Sequence, residues 1–238
     1  MTVILFFCLI FVIFASMKKR KWTFRLLVVL PLLFFTLSIA LVLLLRWVPV
    51  MYTPLMLKRT IQYRKVESFS TRHHWVNIKD ISPELVKAVV MTEDQKFYTH
   101  KGFDWDELKA MWNAHKMKGI KLRGCSTISQ QTAKNVFSFG SHTNARKVWE
   151  AYWTVLIEKL WNKERIMEVY LNVIEMGPGI YGAEAAAEHY YGCHAKSLNR
   201  RQAVSIAVCL PNPLKYSPVK LTSYQRRRCD RLIEQMAQ

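Results

Sequence analysis

The stretch SPELVKAVVMTEDQKFYTHKGFD, residues 82–104, decides how this chain is read. Its first half is helical in pattern. Ser82 stands at the N-cap position, Pro83 suits the first turn, and Leu85, Val86, Val89 and Val90 recur at helical spacing. The second half drops that pattern and crowds Glu93, Asp94, Phe97, His100, Gly102 and Asp104 together. A helix that only packs has no need of so many polar groups at its end. The stretch is therefore read as a helix that delivers Glu93 to a site. Asp104 can cap the next helix, WDELKAMWNAHKMKG, which ends at Gly119.

Helical signals continue downstream. Ser126 is the expected N-cap of TISQQTAKNVF, and Thr143 or Asn144 starts RKVWEAYWTVLIEKLW. Asn162 restarts a helix with Ile166, Val169, Tyr170 and Val173 on one face. GPGIYG breaks it, AEAAAEHYYG and RQAVSIAVCL follow, and PNP stops the last. Residues 51–82 read as mixed, with a basic stretch (Lys58, Arg59, Arg64, Lys65) and an extended or loop-like segment. No run alternates over several strands, so the fold class is mainly α.

Upstream, Leu26 to Leu45 is 20 residues without a charge. At ~1.5 Å per residue it spans a hydrocarbon layer of ~30 Å and reads as a transmembrane helix. Lys18, Lys19, Arg20, Lys21 and Arg25 flank its N-terminal side, which the positive-inside rule places in the cytoplasm. Residues 3–15 form an apolar run too short for a clear span, readable as the first helix of a hairpin, as a signal-like segment, or as upstream sequence before a start at Met17, which the following KKRK favours. Six of the 35 Lys and Arg precede residue 51 and all 17 acids follow it, leaving 29 cations against 17 anions, a net +12. A basic exported domain beside a membrane suits anionic lipid or an anionic substrate. The anchor disfavours nucleic acid.

Five cysteines (8, 125, 193, 209, 229) show no CxxC spacing. A metal held by Cys193, His194 and Cys209 is weaker than a reading of free thiols. GPGIYG matches GxGxxG in form, but a helix precedes it and no acid lies in residues 196–205, so it reads as a tight turn.

Within GCSTISQQTAKN, residues 124–135, one helix face presents Thr127, Gln131 and Lys134. Ser126 and Thr127 stand near the helix N-terminus, where free N–H groups favour an anion. Arg146 and Glu150 share a face as well, though alone they would read as a surface ion pair. Two carboxylates, Glu93 and Glu150, with Lys96, Arg123, Lys134 and Arg146 suit sugar transfer from a phosphate-linked donor.

EDQKFYTHKGFD, RGCSTISQQTAKN, RKVWEAYWTVLIE, KERIMEVYLN and GPGIYGAEAAAEHYYG together resemble, in order and spacing, the motifs of the bacterial peptidoglycan glycosyltransferases. The resemblance covers about residues 83–213 and points to the monofunctional, membrane-anchored form. It implies a lysozyme-like, two-lobed helical domain over 51–238, behind an anchor in 1–50, with a membrane-proximal lobe that takes up lipid. It implies polymerisation of lipid II with inversion and release of undecaprenyl pyrophosphate. Glu93 matches the general base and Glu150 the second glutamate that supports the leaving group. Lys134 and Arg146 match the pyrophosphate cations, and Ser126, Thr127, Gln130 and Gln131 match substrate-lining residues. Asp94, Phe97 and His100 match positions around the base, and Lys96, Arg123 and Asn135 complete the implied substrate-binding set. Cys125 stands where the family has Gly or Ala.

No cofactor is required by the sequence and no residue is assigned to a metal, while the resemblance leaves a divalent cation (Mg or Mn) at the pyrophosphate open. The implied partners are lipid II, the growing glycan strand, membrane lipid, and cell-wall synthesis or division proteins. The implied location is the inner membrane, single-pass, with the catalytic domain outside. The rivals are a muramidase-like hydrolase, which would not need the cations, and a non-catalytic scaffold, which would need neither the cations nor the acids.

Overall fold

The computed structural model describes residues 22–65, 69–118, 126–138 and 144–237. The apolar run at 3–15, Met17 and the basic flank at 18–21 lie outside these, as do Gly119, Arg123, Cys125 and Thr143. The chain divides after Leu44 into two units.

The first contains α1 (Trp22–Leu44), of which Leu26–Leu44 is long and apolar enough to cross a membrane. The two hydroxyls within Leu26–Leu44 turn back on the helix. Thr36 Oγ1 donates to the Leu32 carbonyl at 2.7 Å and Ser38 Oγ to that of Phe35 at 2.9 Å, so neither is left unsatisfied in an apolar setting.

The second unit begins with α2 (Pro54–Gln62), which the mixed composition of that region hid. Thr53 caps it, accepting from the Met56 N–H at 3.2 Å, with Pro54 in the first turn. After β1 (Arg72–His73) come α3 (Pro83–Glu93), α4 (Trp105–Lys118), α5 (Ile128–Phe137), α6 (Asn144–Leu160) and α7 (Lys163–Val173). A hairpin, β2 (Glu175–Gly177) and β3 (Ile180–Tyr181), leads to α8 (Ala183–Tyr191), α9 (Arg200–Cys209) and α10 (Ser223–Ala237).

Burial explains the arrangement. Ile166, Met167, Val169, Tyr170, Leu171 and Val173 are all buried, so α7 is a core helix with α5 packed on it. α5 also packs on α6, α3 on α9, and α9 on α10.

The mainly helical expectation holds, with a small sheet unforeseen besides α2. A small sheet in the order β1-β3-β2 pairs β1 parallel to β3, Arg72 facing Ile180. Strands of two or three residues are too short for alternation to show. The tight turn expected at GPGIYG is the β2–β3 hairpin itself. Gly182, at φ 83°, shows why its last position is glycine: a Cβ there would lie 2.5 Å from the Asn172 carbonyl oxygen.

Two caps differ from expectation. Ser82 holds the N-cap position of α3 as expected, but its hydroxyl makes no capping bond: it donates to the Leu198 carbonyl at 2.8 Å and ties α3 to the chain before α9. The N-cap of α5 is Thr127, not Ser126: Gln130 stands three residues after Thr127 and closes a reciprocal capping box. Asp104 does cap α4, accepting from the Glu107 N–H at 2.9 Å.

Candidate active site

Glu93 ends α3 at the wall of a cleft of about 860 Å³. α5 supplies the facing groups. Gln131 Nε2 donates to Glu93 Oε2 at 2.8 Å, and Ser126, Thr127, Lys134 and Asn135 also line the cleft. Burial raises the Glu93 carboxyl above its ordinary pKa; the Gln131 hydrogen bond and the Arg228 charge pull back, and Asp94 adds to the rise. A carboxylate lifted in this way is a better proton acceptor than a solvated one.

The polar crowd after Glu93 holds it in place. Asp94, buried, faces His100 Nε2 at 2.9 Å and accepts from the Ile128 N–H in the first turn of α5, also at 2.9 Å. A carboxylate at a helix N-terminus satisfies an orphan donor and meets the positive end of the helix dipole. The end of α3 is thus fastened to the start of α5. His100 Nδ1 accepts from the Gly102 N–H at 3.0 Å, so the ring proton sits on Nε2 toward Asp94. Both nitrogens are engaged, which excludes His100 as the base.

Several residues expected at the substrate make structural contacts. Phe97 is fully buried beneath this loop, with Lys163 Nζ 4.6 Å from its ring centroid, and does not line the cleft. Lys96 is exposed and pairs with Asp106 at 3.2 Å and Asp104 at 3.6 Å, outside the cleft lining. The Gln130 side chain is spent in the capping box, its Oε1 accepting from the Thr127 N–H at 3.0 Å. Thr127 Oγ1 donates to the Gly102 carbonyl at 2.6 Å, which welds the loop to α5. Arg123 lies outside the described residues.

Around Lys134 of α5 is a cationic group. Glu150 on α6 is buried, paired with Arg146 one turn earlier, while Lys147 Nζ lies 3.3 Å from Glu150 Oε2. Neither Arg146 nor Glu150 lines the cleft; Lys134 does, and it feels both. Burial lowers the Lys134 ammonium below its ordinary pKa, Glu150 opposes this, and Arg146 and Lys147 reinforce it. Arg146 Nε is buried without a hydrogen-bond partner among the described residues. One polar helix face thus joins a lifted carboxylate to a group of cations.

Residues 60–237 match the family model described as Transglycosylase, three quarters of the chain. The chain belongs to the transglycosylase family. It is 46% identical over 219 residues to a biosynthetic peptidoglycan transglycosylase of Bdellovibrio bacteriovorus, covering 92% of this chain and 86% of that protein. The proteins of that name from Shewanella oneidensis and Bacteroides thetaiotaomicron are 48% and 45% identical, covering 70% and 87% of this chain and 71% and 84% of theirs.

Four residues at or beside this cleft escaped sequence reasoning. Lys147 adjoins Arg146 and reaches Glu150 and Ser126 Oγ, a convergence that needs the α5–α6 packing to be seen. Arg59 from α2 and Glu175 from β2 both line the cleft, with Arg59 Nε 3.4 Å from Glu175 Oε2. Arg228 reaches the cleft from α10. Only the basic stretch around Arg59 was a signal.

The Gln131 contact carries a prediction for this cleft. Gln131→Leu removes the hydrogen bond that favours ionised Glu93, so the Glu93 pKa rises further. A carboxylate serves as a base only when deprotonated, so with Glu93 in that role the acid limb of the kcat/KM profile moves to higher pH. Profiles of both proteins check this, and coincident acid limbs would refute it.

Proposed function

We propose that this transglycosylase is a peptidoglycan glycosyltransferase that polymerises lipid II, with Glu93 as its general base. The observation that carries the reading is α5, on which Gln131 holds the lifted Glu93 carboxylate while Lys134, one turn on, gathers the charges of Arg146, Lys147 and Glu150. Residues three apart on a helix are neighbours, about 5–6 Å between Cβ atoms. Proton acceptor and cations therefore face one reacting centre.

The acceptor sugar's 4-hydroxyl attacks C1 of the donor sugar as Glu93 takes its proton. The C1–O bond to pyrophosphate breaks on the opposite face, inverting the anomeric carbon. The leaving undecaprenyl pyrophosphate keeps the electron pair, and its charge is met by Lys134, supported by Arg146 and Lys147. Glu150 keeps those cations in place by accepting from Arg146 and pairing with Lys147. A divalent cation fits these side chains poorly, since Arg146 and Lys147 engage the two Glu150 oxygens, and the reaction is read without one.

The apolar helix Leu26–Leu44 supports a membrane anchor. With the basic residues 18–25 inside, the domain faces the outer side of the cytoplasmic membrane, where it would meet lipid II, the growing strand, and cell-wall synthesis or division proteins.

The test is polymerisation of labelled lipid II by the detergent-solubilised full chain, with products resolved by size, beside incubation with finished cell wall. Long strands from lipid II and no fragments from the wall are expected. Wall digestion without polymer would make the protein a hydrolase, and neither activity in folded protein would make it a scaffold.

A further inference from the structure

Glu184 and Glu188 stand four residues apart on α8, a spacing at which like charges repel. The chain has 17 acids for 35 Lys and Arg, yet among the described residues neither carboxylate has a Lys or Arg within ion-pair distance. Imidazoles stand there instead. His194 Nδ1 lies 2.6 Å from Glu184 Oε1, and His74 Nδ1 lies 2.9 Å from Glu188 Oε2.

One ligand atom each from Glu184, Glu188 and His194 come within 4.8 Å of one another. Both carboxylates are also oriented from outside that group. The Ala195 N–H donates to Glu184 Oε2 at 2.7 Å, leaving Oε1 toward His194, and His74 holds Glu188. Outer partners of this kind are what fix metal ligands. The nearby cation Arg72 is turned to His189 Nδ1 at 3.2 Å.

We infer that Glu184, Glu188 and His194 form a binding site for a divalent first-row transition metal, zinc being the ion whose chemistry suits it best. Two carboxylate oxygens and one imidazole nitrogen match zinc, with a fourth position left for water. Magnesium favours oxygen ligands and keeps its waters, so the imidazole disfavours it. His194 has room to make the geometry. Its side chain is 80% exposed, and it follows Gly192, whose φ of 62° sets the turn after α8.

Cysteine takes no part in the site, contrary to the weaker sequence reading of Cys193, His194 and Cys209. Cys209 is buried against Gln225 Nε2 at 3.9 Å, and no thiol belongs to the group. None of the three ligands lines the cleft, so the site is separate from the proposed chemistry. A bound ion would join α8 to the turn that follows it and, through Glu188, to the segment after β1.

The test is calorimetric titration of zinc into tag-free, chelator-treated full chain in detergent, with the thermal midpoint measured in parallel. Saturable binding of one ion and a raised midpoint are expected in the wild type and in Glu93→Gln. Glu188→Gln and His194→Ala, both at solvent-accessible side chains, should each weaken binding at least about tenfold, and His74→Ala by about 10–100-fold as an outer partner. Absence of saturable binding would overturn the inference. Equal binding by the wild type and His194→Ala would overturn it too, as would binding lost in Glu93→Gln but kept in Glu188→Gln.

Discussion

Glu93→Gln is expected to stop lipid II polymerisation while the protein stays folded. The amide keeps the shape of the carboxyl and can still accept from Gln131, but it cannot take the acceptor's proton. General-base catalysis contributes about 10²–10⁴-fold, so a loss of ~10³ in kcat is expected. Stability should not fall. The folded pKa of Glu93 is raised, so its contribution to stability is fully present below the unfolded pKa and is lost as pH rises through the folded one. Above the folded pKa the ionised group is thus a burden that the neutral amide removes. Polymer assays beside thermal melts at pH 7 check both halves, and turnover near that of the wild type would remove Glu93 from the role of base.

Lys134→Ala is the second large effect. The ammonium is the cation of its group that lines the cleft, and the leaving pyrophosphate gathers charge only as the bond breaks. By analogy with deleting one oxyanion donor, about 3 kcal/mol of barrier should be lost, ~10² in kcat with a smaller change in KM. Arg146→Ala is a less clean test, because it also takes a partner from buried Glu150. Lys134→Arg should recover part of the rate. Because burial lowers the Lys134 pKa, wild-type activity should decline as pH rises through a value below that of ordinary lysine. In Lys134→Arg that alkaline limb should vanish. Equal kcat for the wild type and Lys134→Ala would take leaving-group stabilisation away from this residue.

Much of the fold was legible because its helices advertise themselves. Asp104 and Asn162 begin helices where they were expected to, and the apolar faces around Val89 and Tyr170 are buried. α2 was missed because its nine residues include four polar or basic ones (Lys58, Arg59, Thr60 and Gln62) and only one buried side chain, Met56. The site was legible wherever function follows local spacing, as with Gln131 and Lys134 on one face of α5. It was not legible where tertiary contacts decide. Nothing local distinguishes Gln130, which caps, from Gln131, which reaches Glu93, until Thr127 rather than Ser126 is known to be the N-cap. Lys96 and Phe97 follow the base in sequence, but one turns to its own acids and the other into the core. Glu175 and Arg59, 116 positions apart, meet only because β2 and α2 flank one cleft.

The capped start of α5 also governs which length changes the chain can tolerate. Thr127 sets the first turn, and each later residue is placed about 100° further around the axis and ~1.5 Å further along it. Inserting or deleting one residue between Gln131 and Lys134 would leave Gln131 on Glu93 but swing the lysine a quarter-turn or more off the cleft. Alterations of length are therefore forbidden in this one turn, even where the helix itself would survive them.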